Sequence, residues 1–266
     1  MPTGAITGYI DVAQIVLYGF WIFFFGLIYY LRREDKREGY PLQSDRSDRA
    51  PRIKLVGFPA MPDTKTFLLP HDQGTRPSPP DDEPPLGDIA GTTVEAPWNG
   101  TPLIPTGNPM RDGVGPASHA PREDAPDLTI EGRPKVIPMR LAEGFSPDPS
   151  DPDPRGMDVV AADGQVAGQV KDLWVDLTEP RILYFEVELP GGRTEGVTNP
   201  LLPIGFSRVR FGRRQILVGS IMADQFADVP RTASPDQVTR LEEDRICAYY
   251  GGGHLYAAPS RQEPLI

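Results

Sequence analysis

Apolar and polar positions follow three successive patterns along the chain. Residues 12–31 run for twenty positions without a charge. As a helix with about 1.5 Å rise per residue they span roughly 30 Å, the hydrocarbon thickness of a bilayer. Twelve of the twenty are Leu, Ile, Phe or Val, which together favour insertion by about 4–7 kcal/mol. Only Gln14 opposes this, and Tyr9 on one side and Tyr29 and Tyr30 on the other stand where interfacial aromatics belong. A cleaved leader fits poorly: no Lys or Arg precedes the run, the run is long, and no small-x-small site follows. A buried core helix would carry a polar stripe, which the run lacks.

The second pattern, over 43–155, alternates proline-rich pieces with isolated apolar ones. Stretches such as Arg76-Pro-Ser-Pro-Pro-Asp-Asp-Glu-Pro-Pro85 and Ser146-Pro-Asp-Pro-Ser-Asp-Pro-Asp-Pro154 cannot be helical, since proline lacks the donor and clashes with the preceding turn. Phe67-Leu-Leu69, Trp98, Leu103-Ile104 and Val136-Ile-Pro-Met139 have no use in a linker. They suit an extended chain laid over a partner, each piece filling a pocket while the prolines lower the ordering cost.

From Met157 onward the period is that of strands. Residues 158–162, an Asp163-Gly164 turn and 165–176 read as a hairpin. Residues 182–189 alternate, with Leu183, Phe185, Val187 and Leu189 on one face, before a Pro190-Gly-Gly192 turn. Residues 207–211 and 215–221 form a further pair joined by Gly212-Arg-Arg214. Four to six short strands imply a small antiparallel barrel or sandwich. Ser234-Pro-Asp-Gln237 then reads as the capped start of a short helix, with Val238, Leu241 and Ile246 inward. The expected class is one N-terminal transmembrane helix plus a mainly β domain, a long irregular Pro-rich segment and a short C-terminal helix. Its divisions are 1–11, an outer N-terminus; 12–31, the membrane helix; 32–155, the draped segment; 156–259, the β-barrel domain with its helix; and 260–266, a tail.

Charge orients the span. Residues 1–31 hold no Lys or Arg, whereas Arg32, Arg33, Lys36 and Arg37 follow directly. The positive-inside rule puts the N-terminus outside and the rest in the cytoplasm, with those four cations and Tyr40 at the lipid headgroups. The net charge of −10 argues against a nucleic-acid partner. Of 32 prolines, 23 lie between positions 41 and 154, which excludes one regular globular domain there. A single cysteine, Cys247, allows no intrachain disulfide and suits a cytoplasmic domain. His71, His119 and His254 are scattered, so no metal site is expected.

No nucleotide, metal or nucleophile motif is present, and no enzyme is expected. Gly251-Gly-Gly253 lacks the spacing of a phosphate loop and reads as a turn. Chemistry must rest on carboxylates. Asp176 and Glu179 stand apart, at the end of an apolar strand beside Pro180, where desolvation and mutual repulsion would raise their pKa values.

Several segments are similar to one family: Tyr30-Leu-Arg-Arg-Glu-Asp-Lys-Arg-Glu-Gly-Tyr-Pro-Leu42, Asn108-Pro-Met-Arg-Asp-Gly-Val-Gly-Pro-Ala-Ser118, Asp172-Leu-Trp-Val-Asp176, Phe185-Glu-Val-Glu-Leu189, Leu241-Glu-Glu-Asp-Arg-Ile-Cys-Ala-Tyr-Tyr250 and Leu255-Tyr-Ala-Ala-Pro259. The chain resembles the H subunit of the purple-bacterial photosynthetic reaction centre. The resemblance implies a PRC-type barrel on one helix, in the inner (intracytoplasmic photosynthetic) membrane, capping the cytoplasmic face of the L and M subunits. It implies no pigment or quinone on this chain; bacteriochlorophyll, bacteriopheophytin, quinones and non-haem iron belong to partner subunits. A light-harvesting antenna ring, a cytochrome subunit and anionic lipids are further candidate partners.

The family places an aspartate and a glutamate near the secondary quinone, matching Asp176 and Glu179, for proton delivery. The arginine some members carry four residues later is replaced by Leu183, with Arg181 early. Some members also carry an aspartate and a His-x-His pair before Lys135-Val-Ile-Pro-Met139; here Thr129, Glu131 and Arg133 stand instead. Glu131 and Asp127 are therefore proton-entry candidates by location only. The competing reading is a membrane-anchored barrel module that recruits another cytoplasmic protein.

Overall fold

A computed structural model describes residues 4–7, 10–38, 40, 57–78, 91–94, 102–191 and 197–262. Tyr9, Trp98, Gly192 and most of the Arg76–Pro85 stretch lie outside the described residues. The chain divides into two compact units, 1–87 with 98–100, and 88–97 with 101–266.

In the first unit, helix α1 spans Val12–Glu34. Asp11 caps it: its Oδ1 accepts the Gln14 N–H at 2.8 Å, and Gln14 Oε1 accepts the Asp11 N–H at 3.3 Å. The one polar residue of the apolar run is thus used to start the helix. No side chain of α1 is buried, and the helix is long and apolar enough to cross a membrane. It continues past Leu31, so Arg32 and Arg33 sit in its last turn, where cations oppose the helix dipole.

The cations beyond divide into two kinds. Lys36 Nζ donates to the Gly57 carbonyl at 2.7 Å and to that of Pro59. Arg37 donates to Glu34 at 2.8 Å, to the Ser78 carbonyl at 3.0 Å and to that of Asp63. Lys65 closes on Glu34 at 2.7 Å. These bonds hold a hairpin, β1 (Lys65–Leu68) and β2 (Thr75–Ser78), to the end of α1. Lys36 and Arg37 therefore bind this chain's own backbone, whereas Arg32 and Arg33, in looser pairs with Asp35 and Asp63, remain more open to solvent. Tyr40 is half exposed. The hairpin leaves Phe67 and Leu68 uncovered, as are Phe58 and Met61 before it.

In the second unit, β3 (Thr92–Val94) pairs with β4 (Leu103–Pro105), and helix α2 (Pro109–Asp112) follows an Asn108 cap. The main sheet has seven strands: β5 (Val136–Pro138), β6 (Asp158–Val160), β7 (Val166–Asp176), β8 (Arg181–Glu188), β9 (Leu201–Pro203), β10 (Ser207–Arg210) and β11 (Gln215–Val218). Their order is β10-β11-β6-β7-β8-β9, with β5 also on β7. All neighbours are antiparallel except β11 with β6. The Asp163-Gly164 turn and the 207–221 pair form as expected, Gly164 at φ +79. The sequence reading missed β5 and β9, each three residues and too short to show a period. On β8 both faces are buried, Tyr184 and Glu186 as well as Phe185 and Val187. Met157, Leu173, Trp174, Phe185, Phe226 and Tyr250 centre the core.

Helix α3 spans Arg240–Tyr256, which changes two expectations. Its cap is Thr239 with Glu242 in a capping box, not Ser234; the Pro235 carbonyl and the Asp236 carboxylate instead hold Arg140, at 2.5 and 3.0 Å. Gly251-Gly-Gly253 lies inside the helix rather than in a turn. A Cβ on Gly252 would meet that of Ala117 at 2.5 Å, and one on Gly253 would meet Ile221 Cγ2 at 2.5 Å and the Ser220 carbonyl at 2.6 Å. These glycines let helix and loop approach.

Candidate functional site

The C-terminal end of β7 carries the carboxylates singled out from the sequence. Asp176 is buried, 1% exposed. It opens a turn in which its Oδ1 accepts from the Thr178 N–H at 2.8 Å, the Thr178 hydroxyl at 2.7 Å and the Glu179 N–H at 3.1 Å. Its Oδ2 faces Lys135 Nζ at 3.4 Å. The register puts Lys135 there: Val136 on β5 pairs with Asp176, and the Leu177 N–H donates to the Lys135 carbonyl at 2.9 Å.

Lys135 also reaches Asp127. Its Nζ is 3.9 Å from Asp127 Oδ2, and its N–H donates to the Asp127 carbonyl at 2.8 Å. One cation thus links a delivery candidate to an entry candidate.

Glu179 stands one turn away and is open, its side chain 64% exposed, with Arg181 at 3.2 Å. A guanidinium is therefore present beside Glu179, although position 183 holds leucine. Glu131 lies exposed at the tip of a turn closed by Thr129 and Gly132, apart from the Asp127–Lys135–Asp176 array. The Thr129 hydroxyl holds its carboxyl below the usual range.

The expected shared rise in pKa is corrected for Asp176. Burial raises it, but the hydrogen bonds from Thr178 and Glu179 and the charge of Lys135 outweigh burial, and the carboxyl is held below its ordinary value. The Asx turn, rather than repulsion from Glu179, sets its environment.

A carboxylate the sequence reading did not single out behaves as Asp176 was expected to. Glu243 on α3 accepts the Tyr184 hydroxyl at 2.8 Å. Burial raises its pKa, helped by the negative charges of Asp127 and Asp244. Beside it, burial first and then Glu243 push the Cys247 thiol up to about 11. Segment 125–127 runs along the start of α3, where Arg240 N–H donates to the Ala125 carbonyl at 3.0 Å. Nothing local in sequence marks this cluster; tertiary packing makes it.

A separate polar cleft of about 460 Å³ is organised by Arg140. Its guanidinium meets the buried Asp172 at 3.1 Å and Glu186 at 2.9 Å. Glu186 also accepts from Trp174 Nε1 at 3.2 Å and Asn199 at 2.7 Å. Arg140 thus gathers three carboxylates, Asp172, Glu186 and Asp236, and ties 139–141 and 235–236 to β7 and β8.

Comparison with known families agrees with the architecture. The model of the photosynthetic reaction centre H-chain N-terminal region matches residues 4–141, and that of the PRC-barrel domain matches 150–224. The second match covers β6 to β11, six of the seven strands of the sheet bearing Asp176. With an apolar helix fit to span a membrane, a β domain of PRC-barrel type and the H-chain match over more than half its length, the chain is a single-pass membrane subunit belonging to the H-chain family of photosynthetic reaction centres.

Proposed function

We propose that this chain covers the cytoplasmic face of the L and M subunits, N-terminus outward, steadies the secondary quinone pocket and passes protons to the reduced quinone. The observation that carries this reading is the Asp127–Lys135–Asp176 array with exposed Glu179 at its end. Reduction of a quinone to quinol takes two protons, and a pocket removed from water must receive them through titratable groups. Glu179, exposed and paired with Arg181, is the group we assign to meet a partner's surface. Asp176, Lys135 and Asp127 form a charged row behind it, and Glu243 offers a carboxyl more ready to hold a proton near Asp127. Pigments, quinones and iron stay with L and M; antenna and cytochrome subunits and anionic lipids border the assembly.

Glu179→Gln keeps the shape and removes the proton site. Second-electron transfer to the quinone should slow by roughly tenfold or more, with first-electron transfer, assembly and pigment content unchanged. Flash-induced kinetics across a pH series measure this, and a wild-type second-electron rate at every pH removes Glu179 from the path. An absorption spectrum of the detergent-purified complex separates the alternative, since a module recruiting some other protein would copurify without bacteriochlorophyll.

A further inference from the structure

The β10–β11 hairpin places four arginines, Arg208, Arg210, Arg213 and Arg214, within seven residues of a chain whose net charge is −10. Alternation sends Arg208 and Arg210 to one exposed face, while Val209 packs against the core. Among the described residues, no carboxylate pairs with Arg208, Arg210 or Arg213, while Arg214 donates to the Arg155 carbonyl at 3.4 Å and its charge acts on Asp153. Phe211 is exposed at the tip. β10 is a sheet edge, and charge on an edge strand discourages edge-to-edge pairing. That accounts for Arg208 and Arg210. It does not account for two more arginines and an exposed phenyl ring beyond or beside the end of the ladder.

Register fixes where the tip points. Gln215 pairs in parallel with Asp158, Asp158 pairs with Gln169, and β7 runs from there to Asp176. The tip, preceding Gln215, therefore points to the same end of the sheet as Asp176 and Glu179. On the reading that this end faces the membrane-embedded subunits, on which the inference rests, the tip faces the membrane too. We infer that the 207–214 hairpin docks on anionic phospholipid, its guanidinium groups binding headgroup phosphates and Phe211 entering the interface. Guanidinium suits phosphate because it donates in pairs. The α1 anchor holds lipid at high effective concentration, so a weak attraction per arginine is enough.

Hydrogen exchange on the assembled complex in nanodiscs tests this. With phosphatidylglycerol the 207–214 amides should exchange about fivefold more slowly than with phosphatidylcholine. The difference should vanish in an Arg208→Gln, Arg210→Gln, Arg213→Gln variant and shrink at high salt. Equal rates in the two lipids overturn the inference, whether the amides are open in both or protected in both by a protein subunit. The 177–179 amides, read in the complex and in the free chain, separate the two levels. If they slow on assembly while 207–214 ignores lipid, the docking inference falls alone. If they exchange alike in free chain and complex, the reading beneath it falls as well.

Discussion

Burial ordinarily makes a carboxyl easier to protonate, and Asp176 runs the other way because three donors and Lys135 converge on it. Its folded pKa is lowered, so its stabilisation is present above the unfolded value of about 3.9 and is lost as pH falls through the folded one. Asp176→Asn should cost about 1–3 kcal/mol at neutral pH and progressively less below about pH 4. Urea unfolding of the detergent-solubilised chain at several pH values measures this, and a deficit independent of pH would show that charge is not what Asp176 contributes. Glu243 has the opposite sign. Its folded pKa is raised, so its contribution is fully present below about pH 4.3 and is lost as pH rises through the folded value. Glu243→Gln keeps an acceptor for Tyr184 and should make the chain more stable at neutral pH but not near pH 4. A loss of stability at neutral pH would mean the charge is answered by a group other than Tyr184. The first of these signs was read the wrong way from the sequence, which set burial and repulsion from Glu179 above the local turn: aspartate two residues before threonine is an Asx-turn signature, and the turn satisfies the carboxylate locally. The second was not legible there, because Tyr184 and Glu243 are separated by 59 positions and only the packing of α3 on β8 joins them.

Elements with a clear period were read correctly, and those ruled by close approach were not. The membrane helix, the 158–176 hairpin and the 207–221 pair each carry their own pattern of apolar positions and turn residues. The glycine run carries none, since glycine favours a turn by propensity and a tight interface by geometry. Its place inside α3 makes a prediction in which the two effects oppose each other. Gly253→Ala gains about 1 kcal/mol of helix propensity. The added methyl would meet the Ser220 carbonyl, which is backbone, and Ile221, and forcing it in costs about 1–3 kcal/mol. Net destabilisation is expected, and a rise in unfolding midpoint would show that the loop at Ser220 yields easily. The same contest explains the helix start. Two Ser/Thr-x-x-Glu/Gln boxes compete, and the later one wins because residues 235–236 are held by Arg140.

At the scale of the whole molecule the apolar surface left uncovered is the most informative feature. Phe58, Met61, Phe67 and Leu68 stand exposed in the first unit, Leu68 at 83%. On the reading proposed above, these side chains are anchors for a partner subunit. Replacing Phe67 and Leu68 by Asp should reduce copurified bacteriochlorophyll-bearing partner by roughly tenfold or more, as loss of apolar anchors does in other interfaces. The β domain, judged by its melting profile, should be unaffected, and unchanged pigment yield would leave this hairpin without a role in assembly.

The parallel pairing of β11 with β6 also has a consequence in time. During synthesis α1 leaves the ribosome first, and β6 and β7 follow and can close their hairpin at once. One edge of β6 then has no partner until residues 215–218 emerge. Through that interval a membrane-tethered nascent chain presents open strand backbone to its neighbours, and tethering confines those neighbours to a plane. Chains released before β11 is made should therefore associate with one another rather than remain as inert fragments.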